Sequence, residues 1–209
     1  MMQGKVLSGQ APSTSFRLDH DVRKLQAAKA CAKLIAERGY ADTSIRDVAA
    51  EMGISTGTLL HHFASKEELL TATLSLVADD FLARMRQAAA KVPEPVERLR
   101  AVVRALLGKS KQADIGWRVW IAFWHEAAIN PQLARVAGDI TDESEGLLTD
   151  WIADGVSQGS LKCEDPRKRA SELAALIDGV AIRLYGETGR WSHDRAVALV
   201  DELIRDLIV

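Results

Sequence analysis

The chain has 209 residues, of which 47% are hydrophobic and 27% are charged, and its formal net charge is −2. This composition is typical of a globular protein with a sizeable core and excludes extended disorder. The two cysteines, Cys31 and Cys163, lie far apart and neither has a partner at a metal-ligand spacing. We therefore expect reduced thiols, a cytoplasmic location, and no metal or other cofactor.

Residues 1–18 are a polar segment, which we predict to be a mobile N-terminal tail, with a DNA-contacting arm as the alternative. No apolar run in the chain approaches the ~18 residues that a membrane span requires, so no membrane partner is expected. Residues 1–41 contain 7 Lys and Arg against 3 Asp and Glu. This asymmetry favours an anionic partner near the N-terminus, although sampling alone can also produce it.

Helical periodicity dominates the chain, and no segment alternates between apolar and polar residues for long enough to form a sheet, so we predict an all-α fold. The first helix covers residues 21–38. The second begins at Thr43 or Ser44 and ends at Gly53, and a third begins at once from the cap Ser55. Two short helices joined by so tight a turn predict a helix-turn-helix.

A capping box formed by Ser65 and Glu68 opens a long helix that reaches about residue 90. Further helices are expected near residues 95–108, 115–129, 131–158, 165–187 and 192–208. We place a domain boundary inside the long helix. The predicted organisation is a three-helix helix-turn-helix domain at residues 19–70 and a larger C-terminal helical domain at residues 71–209.

The third helix is predicted to offer a surface that reads DNA. Leu59 and Phe63 share the face that must pack on the second helix, so Gly57, Thr58 and His61 point away from it. Glycine lets the backbone approach base edges, and threonine and histidine can hydrogen-bond to bases in the major groove. Two alternatives are a metal site, for which adjacent histidines about 100° apart are poorly placed, and a merely solvated helix face.

Lys66, at the start of the following helix, has the charge and the neighbouring backbone N–H groups to hold a phosphate. The predicted DNA-binding residues all lie on the helix-turn-helix or directly beside it: Thr43, Ser44, Ser55, Thr56, Gly57, Thr58, His61, His62 and Lys66.

Residues 23–70 resemble the DNA-binding domain of the TetR family of bacterial repressors through the runs AERGY, TSIRDVA, GISTGTL, HF and SKEEL. The resemblance implies a regulator that binds double-stranded operator DNA, and it places His62 and Lys66 at phosphate-contacting positions. Leu60 departs from the pattern, because family members often carry a tyrosine there whose hydroxyl reaches a phosphate.

The larger domain resembles, less specifically, the ligand domain of choline-responsive repressors in that family, through the runs WIAFWHEA, NPQLA and AALIDG. This resemblance implies a domain that forms a homodimer and binds a small-molecule inducer. A small organic cation and a compact apolar molecule are both candidate inducers.

Trp117, Trp120 and Trp124 fall at i, i+3 and i+7 of one predicted helix, so one helix face carries three of the five tryptophans. Such rings either fill a core or line a cavity whose ligand satisfies their indole N–H groups. Asp178 is a candidate acid for that cavity, with a purely local hydrogen bond as the alternative. The predicted ligand-binding residues are Trp117, Trp120, Phe123, Trp124, Trp151, Asp178 and Tyr185.

The last two helices are apolar over a wider face than one intrachain contact needs, which predicts a four-helix dimer interface. A purely intrachain core is the alternative. The predicted interface residues are Ile177, Leu184, Val200, Leu203, Ile204 and Leu207.

Of three possible classes of function, the sequence favours a ligand-responsive DNA-binding repressor. An enzyme is the rival class, but the sequence offers no nucleophile with a plausible base, no phosphate loop and no metal-ligand spacing. A helical interaction protein without DNA affinity is the third, and a gel shift with the promoter beside its own gene would separate it from the first.

Overall fold

The computed structural model describes residues 14–186 and 189–209. These residues form the helices α1 (Thr14–Arg38), α2 (Ile45–Glu51), α3 (Thr56–His62), α4 (Lys66–Ala90), α5 (Pro95–Leu107), α6 (Lys111–Ala127), α7 (Pro131–Ser157), α8 (Pro166–Gly186) and α9 (His193–Arg205). The described ranges contain one isolated antiparallel bridge and no strand, which confirms the all-α prediction. None of these helices has both the length and the hydropathy that a membrane span needs.

The first helix begins earlier than predicted. α1 starts at Thr14, so residues 14–18 are helical and do not belong to a tail. The helix can extend this far because no glycine or proline interrupts residues 14–38. Residues 1–13 of the predicted tail lie outside the described residues.

Serine caps set the bounds of the helix-turn-helix. The Ser44 side chain accepts a hydrogen bond from the Asp47 backbone at 3.2 Å, and the Asp47 carboxylate accepts one from the Ser44 backbone at 2.9 Å. After α2, Gly53 has a φ of +67°, in the left-handed region that favours glycine. Ser55 then caps α3 by accepting from the Thr58 backbone at 3.0 Å. Local sequence therefore accounts for the tight turn.

The apolar core under α2 and α3 continues into the larger domain. Leu59 and Phe63 of α3 are buried in one cluster with Val48 of α2, as the periodicity predicts. The same cluster includes Val119 and Phe123 of α6. The helix-turn-helix packs on α1, and α1 in turn contacts both α4 and α6; the exact domain boundary inside α4 stays a prediction.

A second apolar cluster fills the larger domain around α5, which contacts α4, α6, α7, α8 and α9. Leu99, Val102 and Leu106 of α5 are buried in it. The C-terminus is fixed to this core because the Lys162 backbone donates to the Leu207 carbonyl at 2.7 Å. The other helices of the larger domain therefore pack around α5, at the centre of the apolar core.

The structure corrects the predicted dimer interface. Four of the predicted residues are at most 3% exposed within the single chain and fill its core: Ile177, Val200, Ile204 and Leu207. Their side chains have no surface left to contact a second subunit, so the intrachain alternative holds for these four. Leu184 and Leu203 are half-buried and remain candidates.

Candidate DNA-binding surface and ligand cavity

α3 has one buried face and one exposed face. Thr58 and His61 are exposed, whereas Leu59 is buried. A Cβ atom built on Gly57 would meet the Ser55 hydroxyl oxygen at 3.8 Å, an ordinary contact distance, so the backbone here is open to a close approach. The hydroxyl oxygens of Ser55 and Thr58 are 2.8 Å apart. The exposed face therefore combines hydroxyl and imidazole groups with an accessible backbone, as base-edge recognition requires.

Of the predicted residues before α3, Ser44 is exposed at the cap of α2, and Thr56 is half-buried at the first position of α3. Thr43 is different, because it is 2% exposed and its hydroxyl donates to the Gly39 carbonyl at 2.8 Å. The DNA contact of Thr43 stays a prediction, and this burial leaves its side chain out of the exposed surface. Its side chain closes the turn after α1 and is not accessible to a phosphate.

Positive charge lies next to the C-terminal end of α3. Lys66 opens α4, and its Nζ lies 5.0 Å from the centroid of the Tyr40 ring, a cation–π contact that holds the ammonium beside the helix N-terminus. His62 is half-buried, with its ring 5.8 Å from that of His61 in an edge-to-face arrangement. Leu60 is exposed and offers no hydrogen-bonding group. Lys66 therefore places a positive charge beside the C-terminal end of α3.

The larger domain contains a cavity enclosed mainly by α4, α6, α7 and α8. Its volume, measured as the space open to the centres of water-sized spheres, is about 40 Å³. On this measure a single water needs roughly 10–15 Å³, so the cavity accommodates a small organic group. Phe81, Arg84, Trp117, Trp120 and Asp178 give its wall most of its chemical character.

Aromatic rings form one side of the cavity. Phe81 and Trp117 are in edge-to-face contact, with their ring centroids 5.7 Å apart. The Trp117 indole N–H already donates to the Leu106 carbonyl at 2.9 Å, so this ring needs no ligand acceptor. Trp120, one turn further along α6, is half-buried. The cavity wall therefore includes three aromatic rings that a ligand can contact.

Asp178 brings a carboxyl group from α8 to the same wall. Burial raises the pKa of Asp178 from 3.8 to about 6, a hydrogen bond from the Trp120 indole lowers it, and the charge of Glu145 raises it. A carboxylate in such a place is poorly solvated, and a cation beside it would offset that cost. The cavity therefore combines aromatic rings with a half-buried carboxyl group.

Two family models cover most of the chain. Residues 28–73 match the model for bacterial regulatory proteins of the tetR family, and residues 95–209 match the model for the C-terminal domain of BetI-type transcriptional repressors. The chain belongs to the TetR family. Within it, this regulator carries a BetI-type C-terminal domain.

Individual relatives agree with the family. This chain is 35% identical over 170 residues to the HTH-type transcriptional regulator BetI of Paraburkholderia xenovorans. The match covers 80% of this chain and 85% of the relative. This chain is 32% identical over 190 residues to BetI of Burkholderia thailandensis, covering 90% and 94%. These relatives are transcriptional regulators, and the enzyme alternative is therefore rejected.

A solved structure is similar over nearly the whole chain. It is a transcriptional regulator from Saccharomonospora viridis in complex with choline, with a TM-score of 0.84 and 26% identity, covering 90% of this chain and 99% of that chain. A second similar structure, a transcriptional regulator from a Rhodococcus species, has a TM-score of 0.79 and 25% identity, covering 88% and 95%.

Four residues predicted to bind the ligand of this TetR-family regulator do not line the cavity. Phe123 is buried in the cluster under the DNA-binding helices, and Trp124 is 41% exposed. Seven residues of helix rise about 10 Å, which carries Trp124 past the end of a cavity that Trp117 lines. Trp151 and Tyr185 are half-buried against the core of the larger domain, away from the cavity wall.

Most of the residues that line the cavity were not among those predicted from the sequence, and four of them have aromatic or polar side chains. They interrupt or continue apolar stripes on two helices: Phe81 and Arg84 on α4, and Thr141 and Ser144 on α7. A phenylalanine within an apolar stripe gives no signal that separates it from the core. Polar residues within such a stripe do give one, because a buried polar group needs a partner, and that signal was available for Arg84, Thr141 and Ser144.

Proposed function

We propose that this TetR-family regulator is a homodimeric repressor that leaves an inverted-repeat operator when a small organic cation binds in the cavity. The observation that carries the ligand assignment is the half-buried carboxyl group of Asp178 in a wall that also contains Phe81, Trp117 and Trp120. As a bacterial DNA-binding regulator, the protein would act in the cytoplasm, where its operator lies.

The charge of Asp178 separates the two candidate kinds of inducer. A compact apolar molecule would remove water from the Asp178 carboxylate without placing a positive charge against it, which is unfavourable. A quaternary ammonium would supply that counter-charge. It would also gain roughly 0.5–2 kcal/mol from each ring face that it meets in the absence of water. The Saccharomonospora viridis relative was solved in complex with choline, which has this chemistry.

The proposed DNA contacts follow from the exposed residues of α3 and its flanks. Thr58 and His61 would read base edges, while Gly57 allows the backbone to approach them. Ser44, Ser55, Thr56, His62 and Lys66 would contribute to phosphate contacts and orientation.

The dimer contact that we propose uses the outward face of α8. Ala175, Gly179, Ile182 and Gly186 recur there at helical spacing, and Ile182 is 51% exposed although it is large and apolar. None of these four residues is charged, and three of them are small, which lets two helices approach closely. Leu184 on α8 and Leu203 on α9 are half-buried and stay candidates for the dimer contact.

Calorimetry with matched ligands and matched tryptophan variants tests the cation assignment. The ligands are choline and its neutral carbon isostere, in which a quaternary carbon replaces the nitrogen. Trp120→Leu removes a ring from the cavity wall, and Trp124→Leu removes an exposed ring outside it. We expect choline to bind more tightly than its isostere, and we expect the loss of affinity in Trp120→Leu alone.

Equal affinity for choline and the isostere would contradict a cation site. Equal losses in the two tryptophan variants would contradict the placement of that site. Retained DNA binding in both variants shows that the protein is folded and makes either result interpretable.

A further inference from the structure

The cavity wall contains a basic side chain as well as an acidic one. Asp178 comes from α8 and Arg84 from α4. A simple cation would use the acid and gain nothing from the guanidinium, which would repel it. A site for a simple cation therefore accounts for Asp178 but not for Arg84 in the cavity wall.

Arg84 is held in place while part of its guanidinium stays available. Its Nε donates to the Asp80 carboxylate at 3.1 Å, and its Nη1 lies 3.4 Å from the Ala105 carbonyl oxygen. Nη2 makes no hydrogen bond to any residue within 14–186 or 189–209. Nη2 lies 3.3 Å from the position that a Cβ atom would take on Gly116, another residue of the cavity wall. The glycine thus leaves room beside an unused donor.

The other side-chain donors around the cavity are already engaged. Each one gives its hydrogen to a neighbouring acceptor: Trp117 to the Leu106 carbonyl, Trp120 to the Asp178 carboxylate, Thr141 to the Ala137 carbonyl and Ser144 to the Thr141 carbonyl. A ligand with a carboxylate must find donors, because its oxygens lose their water on entry. Among the described cavity residues, Arg84 has an N–H group left to give.

The charged groups of Asp178 and Arg84 also lie beside different positions along the axis of α6. Asp178 lies beside the Trp120 indole, whose hydrogen bond lowers its pKa, whereas Arg84 lies beside Gly116, four residues earlier on α6. Four residues of helix rise about 6 Å. A ligand that reaches from one to the other therefore needs opposite charges at its two ends.

We propose that the inducer is a zwitterion, a quaternary ammonium joined to a carboxylate, with its ammonium against Asp178 and the aromatic rings and its carboxylate on Arg84. This assignment rests on the proposed cation-responsive function and adds a specificity residue to it. A guanidinium that donates to one carboxylate through Nε can donate to a second carboxylate through Nη2, because its five N–H groups lie in one rigid plane.

The experiment compares glycine betaine, a longer trimethylammonium butyrate and choline as ligands for three proteins. Arg84→Met removes the guanidinium but keeps an unbranched side chain. The matched control is Arg118→Met, because Arg118 also pairs with an aspartate one turn earlier, Asp114 at 3.3 Å, but does not line the cavity. Arg84→Lys keeps the positive charge while removing the fork. Operator binding by each variant confirms folding.

We expect Arg84→Met to weaken the binding of at least one zwitterion by about tenfold or more, with choline changed by less than about twofold. Arg84→Lys should show an intermediate loss, and Arg118→Met should match the parent protein. Equal losses for choline and the zwitterions, or no loss for any zwitterion, would overturn the assignment. Binding of choline without either zwitterion would overturn the zwitterion alone. Binding of none of the three would also overturn the proposed cation site.

Discussion

Replacing Asp178 with asparagine should stabilise the ligand-free protein at neutral pH and remove its affinity for cations. Asparagine has nearly the size of aspartate and can still accept the hydrogen bond from the Trp120 indole. It carries no charge into the cavity, however. The substitution therefore isolates the effect of one buried charge on both folding and binding.

The expected gain follows from the pKa of Asp178, which burial raises from 3.8 to about 6. The folded state holds this proton more tightly than the unfolded chain does. The resulting stabilisation is present in full below pH 3.8 and is lost as the pH rises through about 6. Above that range the ionised group costs the folded state about 3 kcal/mol, at about 1.4 kcal/mol per pKa unit. Asp178→Asn avoids this cost.

Urea unfolding of the parent and the Asp178→Asn variant between pH 7.5 and pH 4 measures the effect. The variant should be more stable by up to about 3 kcal/mol at pH 7.5, and the difference should shrink steadily toward pH 4. Asp154→Asn is the control, since hydrogen bonds from Arg98 lower the pKa of Asp154, so this variant should not gain stability at neutral pH. A destabilised Asp178→Asn protein, or a gain independent of pH, would refute the reasoning.

Other predictions concern the cation, the DNA and the dimer. Cation affinity should fall about tenfold between pH 8 and pH 5, because the pKa of Asp178 is about 6 in the ligand-free protein; calorimetry at both pH values measures this, and a constant affinity would contradict it. Lys66→Ala should weaken binding to all DNA sequences about equally and reduce the dependence of log affinity on log salt concentration by about one, whereas Thr58→Ala and His61→Ala should change base preference. Fluorescence anisotropy with operator variants at several salt concentrations separates the two effects. Parent-like binding by all three variants would mean that α3 and Lys66 do not form the DNA-binding surface. Ile182→Glu should give monomers in sedimentation and lower operator affinity, and an unchanged dimer would place the interface elsewhere.

The helices and the helix-turn-helix were predictable because their signals are local. The caps Ser44, Ser55 and Ser65 and the turn glycine Gly53 act on the backbone within a few residues of themselves, and the structure places helix starts and the turn at these positions. α1 begins at Thr14, seven residues before the start predicted from the sequence.

The cavity was predictable in part. The 100° rotation per residue correctly groups Trp117 with Trp120, but it does not show where a neighbouring helix ends or how far a cavity extends along α6. Trp124 shares their helix face and is nevertheless exposed. Phe81 could not be found for the converse reason, because its position in an apolar stripe of α4 is equally consistent with the core.

The dimer interface shows the same ambiguity. A wide apolar face on α9 predicts extensive burial, but it does not identify the surface that buries it. Val200 and Ile204 are covered by the chain's own helices, whereas Ile182, on a face of α8 with little apolar width, is left exposed. Packing between distant segments decides this, and a single sequence carries no direct record of that packing.

The most direct test of the account is the release of DNA by a cation through Asp178. A labelled duplex covering the promoter beside the gene is bound by the parent protein and by Asp178→Asn, and choline or glycine betaine is titrated into each complex while fluorescence anisotropy is followed. Both proteins should bind the duplex with similar affinity, but the ligand should release the DNA from the parent alone. A parent complex that neither ligand dissociates, or an Asp178→Asn complex that dissociates at the same concentrations, would contradict the account.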